Sequence, residues 1–320
     1  MYEVDELGYD FKNLVFQGGG VLGIAYSGAI QVLEEQEILK DVRAVAGTSA
    51  GAISALALAL RYNAQQIQEI LVSTNFEEFL AEPRPLEFTK MYGWFRTEPV
   101  LNWLKALIKK CGMNFHPEMD WTGEETFLQL HERGARDLLV YATDLNTKKA
   151  VEFQYKTTPN TMVAEAICAS MSIPAFFQAF KFSNSEPNDH IYVDGGALLN
   201  YPIMAFDKGS VNDRTLGFKF QKTELVPMSK DLDFGNIREW VKSLIDTVAD
   251  SQSEMIRRTP EYYRRTVDID TGSISFVDFD LKKEEKEFLI EQGILYTELF
   301  LRKYKRMRNP FYKLLSLFGR

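Results

Sequence analysis

Apolar and polar positions alternate along this chain in two periods, and the switch between them predicts the elements. Asn13 to Gln17 is a short apolar strand. Three glycines follow, and then a helix from about Leu22 to Gln36, with Ile24, Ala25, Ile30 and Leu33 on one face. Val42 to Ala46 is a second apolar strand, leading into Gly47-Thr48-Ser49-Ala50-Gly51. The helix after it carries Ala52, Ile53, Leu56 and Leu60 on its inner face. Successive strand–tight turn–helix units predict a mostly parallel sheet with helices packed on it.

From about Tyr62 to Arg136 the pattern is mainly helical, punctuated by Pro83, Pro85, Pro99 and Pro117 and carrying Trp94, Trp103 and Trp121. It reads as an insertion or cap over the sheet. Strands resume at Asp137–Thr143 and Ala150–Tyr155, joined by a turn of Asp144 to Lys148. A helix covers about Thr161 to Ala169, and Ile191-Tyr192-Val193 is a strand ending at Asp194-Gly195-Gly196. Leu216 to Gln221 reads as the last sheet strand. After about Gly235 the pattern is helical, with long amphipathic stretches at Ile237–Arg258 and Lys282–Arg306. The expected division is a catalytic domain over residues 10–225, with its insertion at about 62–136. Residues 226–320 would be a helical C-terminal extension of the same domain.

Composition narrows the function classes. The chain has 320 residues, 45% of them hydrophobic, enough for a substantial core. A net charge of -8 argues against nucleic acid as a partner. Two cysteines, Cys111 and Cys168, set no disulfide framework and are too few for a cysteine metal site. Met1 to Asp10 carries acidic residues and no apolar core of a signal peptide, and the longest apolar stretch, Ala50 to Leu60, is too short to span a bilayer. The expectation is a cytoplasmic protein, peripheral if it meets a membrane, with its oligomeric state unspecified.

Three glycine-containing turns carry the candidate chemistry. Gly18-Gly19-Gly20-Val21-Leu22-Gly23 lies where a strand gives way to a helix, and its N–H groups suit an anion. In acyl transfer that anion is the tetrahedral oxyanion, and each lost donor typically costs about 10²–10³ in rate. The same turn fits a dinucleotide fingerprint, but the second strand ends in Gly47-Thr48-Ser49 without the acidic residue a ribose needs. The second turn is a Gly-x-Ser-x-Gly elbow with Ser49 at its tip, the nucleophile position, and with Gly47 and Gly51 letting strand and helix approach.

A base is required. The chain has three histidines, His116, His131 and His190. The first two lie in the insertion and read as surface residues. An α/β-hydrolase order would have to pair His190 with Asp137, Asp144 or Asp189. The third turn, Asp194-Gly195-Gly196, offers a carboxylate instead. Aspartate is a weak base, ordinarily near pKa ~3.9, but partial burial raises it, and such a pair suits esters better than amides. A carboxylate that merely caps a turn is the competing reading of Asp194.

Together these motifs resemble the patatin-like phospholipase family. The resemblance rests on GGGVLG at 18–23, GTSAG at 47–51 and DGG at 194–196. Ala169 to Phe177, Ala142 to Thr147 and Asn200-Tyr201-Pro202 add to it, over about Asn13 to Phe220. It implies a three-layer α/β/α fold, a Ser49–Asp194 dyad, an oxyanion hole at the amides of Gly18, Gly19 and Gly20, and no metal or other cofactor. The implied activity is hydrolysis of lipid esters, of phospholipase A or lysophospholipase type. A lipid acyltransferase using the same acyl-serine, or a membrane-docked regulatory protein without turnover, is the alternative. Leu22 departs from the Arg or Lys of many members, as it does in the related animal triglyceride lipases, and leaves no cation there for a phosphate headgroup.

The segment 302–320 is a candidate contact with anionic lipid. The stretch Leu301 to Arg320 holds Arg302, Lys303, Lys305, Arg306, Arg308, Lys313 and Arg320 and no acidic residue, and Phe311, Leu314, Leu315 and Phe318 repeat at helical spacing after Asn309-Pro310. Each basic residue near such a surface contributes about 1 kcal/mol. Packing of that apolar face on the protein's own core is the competing reading. Deleting residues 309–320 is expected to weaken sedimentation with anionic vesicles; unchanged binding by a folded truncation excludes the anchor.

Overall fold

The computed structural model describes residues 8–74, 76–80, 83, 88–183, 189–222 and 237–308. The apolar tail helix expected at 309–320 lies outside the described residues.

In chain order, β1 (Asn13–Phe16) runs through a 3₁₀ turn at Gly20–Ile24 into α1 (Ala25–Glu35). β2 (Ala44–Thr48) leads to α2 (Ala50–Ala59). The insertion holds α3 (Ala64–Ser73), α4 (Phe88–Met91), β3 (Gly93–Phe95), α5 (Glu98–Phe115) and α6 (Phe127–Glu132). Then come β4 (Asp137–Asp144), β5 (Lys149–Phe153), α7 (Val163–Ser170), β6 (Ala175–Phe177), β7 (Tyr192–Asp194) and β8 (Thr215–Gln221). The chain continues with α8 (Ile237–Arg257), α9 (Pro260–Tyr263), β9 (Thr266–Asp270) and α10 (Lys283–Arg308).

The main sheet has the order β5-β4-β2-β1-β8-β9. Its inner pairs and β8–β9 are parallel, and β5 lies antiparallel on β4. Its strands alternate as a sheet covered on both faces must. Leu14, Phe16, Val45, Leu138, Val140, Leu216 and Phe218 face the large core, and Val15, Ala46, Leu139 and Tyr141 face a smaller one. The smaller side is covered by Tyr201, Ile203, Ile256 and Tyr262. The expected three-layer α/β/α architecture is what forms.

Two expectations are corrected. Leu216–Gln221 is not the last strand: β9 adds to the sheet beyond it, in parallel register from Gly217↔Thr266 to Gln221↔Asp270. Its five residues, Thr-Val-Asp-Ile-Asp, bury only alternate apolar side chains and sit between helices, so the helical pattern around them hid the strand. The insertion also contains a strand: β3 pairs with β6 in a separate two-stranded sheet. The insertion is otherwise continuous with the rest of the fold. Val100, Leu104, Ile108 and Trp121 belong to the large core.

One contact ties the C-terminal region to the first helix. α10 buries Leu289, Gly293, Thr297 and Leu301, a stripe four residues apart. A Cβ at Gly293 would lie 1.9 Å from the Ala25 carbonyl oxygen, and one at Gly28 would lie 2.1 Å from that of Ile290. The helices therefore cross backbone on backbone. Gly293→Leu is expected to cost at least about 1–3 kcal/mol by overpacking. An unchanged urea midpoint would mean that α10 does not pack there.

Candidate active site

The elbow forms where β2 runs out. Thr48 is fully buried and still in the sheet; Ser49 has φ 51 and ψ -125; α2 begins at Ala50. Positive φ is costly for a residue with a Cβ, of order 1–3 kcal/mol, and persists only where the surroundings enforce it. Here they do. The Ser49 N–H donates to Ser170 Oγ at 2.7 Å, and that hydroxyl donates to the Tyr141 carbonyl at 2.5 Å. The flanking glycines are required by close approach: a Cβ at Gly47 would sit 2.3 Å from the Gly51 oxygen, and one at Gly51 would sit 2.4 Å from the Phe16 oxygen.

Sheet topology delivers the carboxylate. β2 pairs with β4 up to Thr48↔Tyr141. Along the same edge β7 then takes over, antiparallel, with Asp194 opposite Ala142. Asp194 thus enters the gap left by the departing β2, next to Ser49. Its N–H donates to the Ser172 carbonyl at 2.8 Å, so one short segment, Ser170 to Ser172, holds the backbone of both residues.

The Ser49 hydroxyl and the Asp194 carboxylate meet in one cavity, where the hydroxyl draws the carboxyl downward, and the Gly196 N–H donates to Asp194 Oδ1 at 2.6 Å. Asp194 therefore caps the 3₁₀ turn Gly195–Ala197 and faces the serine at once. The two readings of this residue are compatible. Burial pushes its carboxyl up to about 6, against the opposing pull of the Ser49 hydroxyl and the Gly196 N–H.

Histidine does not reach the site. His190 Nδ1 lies 2.8 Å from Asp144 Oδ2. It stands four residues before Asp194 on an extended segment, roughly 13 Å away by strand rise. His131 stacks on Tyr155 and meets Asp137 at 3.0 Å, and His116 meets Glu118 at 2.9 Å.

The glycine-rich turn closes the third side. Gly18, Gly19 and Gly20 line a cavity of about 620 Å³ together with Ser49 and Asp194. Gly20 has φ +52 and starts the 3₁₀ turn, and Gly23 packs against Ala50. One expectation is corrected here. The Gly18 N–H donates to the Asn200 carbonyl at 3.0 Å, so it is not free for an oxyanion. The N–H groups of Gly19 and Gly20 have no such partner among the described residues and remain as the donors of this turn.

The remaining walls were not foreseen. Leu22, Ile173, Phe220 and Phe276 supply apolar surface, and α8 adds Leu244, Ile245 and Val248. The insertion aromatics Trp94 and Phe95 are buried in the core, with Trp103 packed against it, and none of the three lines the cavity. Ser170 and Asn200 lay inside recognised motifs, which signalled them without indicating a role. Nothing in the pattern of α8 pointed to the site. Among the described residues no group of histidine, cysteine and carboxylate side chains is arranged to hold a metal. Among them, too, no helix is long and apolar enough to cross a membrane.

With this geometry in place, comparison with known proteins decides the family. The family model described as patatin-like phospholipase matches residues 14–207. The chain belongs to the patatin-like phospholipase family. The protein YqhO of Bacillus subtilis is similar at 28% identity, over 91% of this chain and 98% of its own. A probable lipid hydrolase of Invertebrate iridescent virus 6 is 25% identical over 88% of this chain and 89% of its own. Triacylglycerol lipase 5 of Saccharomyces cerevisiae is 24% identical over 62% of this chain, which covers 26% of that longer protein. Among solved structures, VipD from Legionella pneumophila superposes with TM-score 0.59 at 17% identity, over 92% of this chain and 67% of its own. The type III effector ExoU gives 0.55 at 18%, over 93% and 54%. These two likenesses concern the fold. Membership in this family supports lipid hydrolase activity.

The raised Asp194 carboxyl has a consequence for stability. Its unfolded value lies near 3.8 and its folded value near 6. The folded state therefore holds this proton more tightly, and stability is lost as pH rises through that window, by on the order of 3 kcal/mol. Asp194→Asn removes the titration. The variant is expected to gain on wild type between pH 4 and pH 8 in urea unfolding; a constant difference across that range contradicts the raised value.

Proposed function

We propose that this protein is a serine acyl hydrolase that cleaves carboxylic esters of lipids, of phospholipase A or lysophospholipase type, through a Ser49–Asp194 dyad. The observation that carries the reading is the juxtaposition of the Ser49 hydroxyl and a buried Asp194 carboxylate in one apolar-walled cavity. Asp194 takes the hydroxyl proton as Ser49 Oγ bonds to the ester carbon. The carbonyl oxygen becomes an oxyanion facing the N–H groups of Gly19 and Gly20. Collapse breaks the bond to the alcohol, which leaves with the proton returned by Asp194. Water, deprotonated by the same carboxylate, then attacks the acyl-serine; the acyl–Oγ bond breaks, Asp194 returns the proton to Ser49 Oγ, and the fatty acid is released.

A carboxylate base raised to about 6 is ionised at neutral pH and basic enough to assist. Alkoxide-type leaving groups of esters suit it better than amines do. The probable lipid hydrolase and triacylglycerol lipase among the relatives point to the same substrate class. The apolar wall fits an acyl chain. On this reading residues 226–320 continue the catalytic domain, because β9 extends its sheet and α8 walls its cavity.

Hydrolysis of a short-chain nitrophenyl ester and of phospholipid vesicles tests the reading. Ser49→Ala and Asp194→Asn are each expected to lower kcat by about 10³-fold or more. Wild-type kcat/KM is expected to fall as pH drops through about 6, where Asp194 protonates. Retained activity in Ser49→Ala excludes the mechanism.

A further inference from the structure

We infer that Gln252 of α8 is a positioning residue that holds the Asp194 turn and the glycine-rich turn in register. The inference rests on the dyad reading above. Gln252 lies outside the residues 14–207 that match the family, on a helix whose neighbouring residues line the cavity.

Its side-chain amide makes two bonds of opposite sense. Oε1 accepts the Asn200 N–H at 2.8 Å, and Nε2 donates to the Gly196 carbonyl at 2.9 Å. Those partners fix which way the amide points, since a reversed amide would set donor against donor and acceptor against acceptor. Each partner leads directly to the site. Gly196 is gripped at both ends: its carbonyl by Gln252, its N–H by Asp194 Oδ1 at 2.6 Å. Asn200 exchanges two bonds with Gly18, accepting the Gly18 N–H at 3.0 Å and donating its own Nδ2 to the Gly18 carbonyl at 3.2 Å. A single side chain from α8 thus reaches the base on one side and the oxyanion turn on the other. The next residue adds a weaker tie, as Gln17 Nε2 donates to Ser253 Oγ at 3.4 Å.

Loss of both bonds frees the Gly196 peptide. The Gly196 N–H then leaves Asp194 Oδ1 part of the time, which disfavours the carboxylate and moves its titration up. The glycine-rich turn loses its register through Asn200, so the oxyanion donors drift. Both effects fall on the chemical step, whereas the apolar wall that binds the acyl chain stays in place. Charged groups facing the cavity are Lys222 beyond β8, and Asp246, Asp250, Glu254 and Arg257 of α8. None of them is among the causes that set the Asp194 value, and His190, two residues before β7, is engaged by Asp144.

The experiment uses the full chain with Gln252→Met, which keeps the length and removes both bonds, and Gln252→Glu, which keeps an acceptor for Asn200 and loses the donor to Gly196. Steady-state kinetics on a soluble nitrophenyl ester are run across pH, beside the labelling rate of Ser49 by a fluorophosphonate per folded molecule. Gln252→Met is expected to lower kcat and the labelling rate at least about tenfold with KM nearly unchanged. Its acid limb is expected to move above that of wild type. A folded Gln252→Met with wild-type kcat and acid limb overturns the inference. The added carboxylate of Gln252→Glu raises the Asp194 titration by itself, so that variant is read above its acid limb: if Gln252→Met does not fold, a wild-type kcat and labelling rate for Gln252→Glu on that plateau overturns the inference. Failure of wild-type Ser49 to label overturns the dyad reading and this inference with it, which distinguishes the two.

Discussion

One edge of β4 serves two strands in succession. β2 uses it as far as Tyr141, and β7 uses it from Ala142 onward. Backbone groups inside a sheet must be paired, so when β2 turns away at Ser49 another strand has to take over. That obligation brings Asp194 beside Ser49, although the two lie far apart in the chain. The Ser49 elbow and the place of Asp194 are thus a consequence of one pairing constraint. Ser170 completes it by satisfying the first backbone N–H that the departing strand leaves behind.

Burial then gives the pair its chemistry. Asp194 is enclosed with a serine hydroxyl and one backbone N–H as its polar company, and no cation offsets its desolvation. The same enclosure that raises its basicity makes its ionised form unfavourable for the fold. On the proposed mechanism, activity and stability pull in opposite directions at this residue. The strained Ser49 backbone belongs to the same exchange, because a relaxed φ would withdraw the hydroxyl from the cavity.

The C-terminal region takes part in this site more than its position in the chain suggests. β9 widens the sheet, α10 crosses α1 at paired glycines, and α8 supplies one cavity wall. α8 both bonds the Gly196 and Asn200 turns and lines the cavity between them. The polar bridges from α8 run to backbone groups of loops, where hydrogen bonds set position better than apolar packing does.

Local chemistry in the chain was enough to determine the three glycine turns, the parallel strand–helix units and the pair Ser49 and Asp194. Those features depend on nearest neighbours: a glycine where backbones touch, a serine after an apolar strand, an aspartate at a strand end. The absence of a histidine after residue 190 narrowed the base further. Other features depended on groups distant in sequence, and only the tertiary structure decided them. The Gly18 N–H is engaged because Asn200 folds back onto it, which no glycine pattern encodes. β9 is a strand because β8 offers it an open edge, although its flanks are helical. The cavity wall comes in part from α8 and not from Trp94 and Phe95 of the insertion, which are buried in the core. A hydrophobic pattern states that a side chain will be buried, and the fold alone states against what.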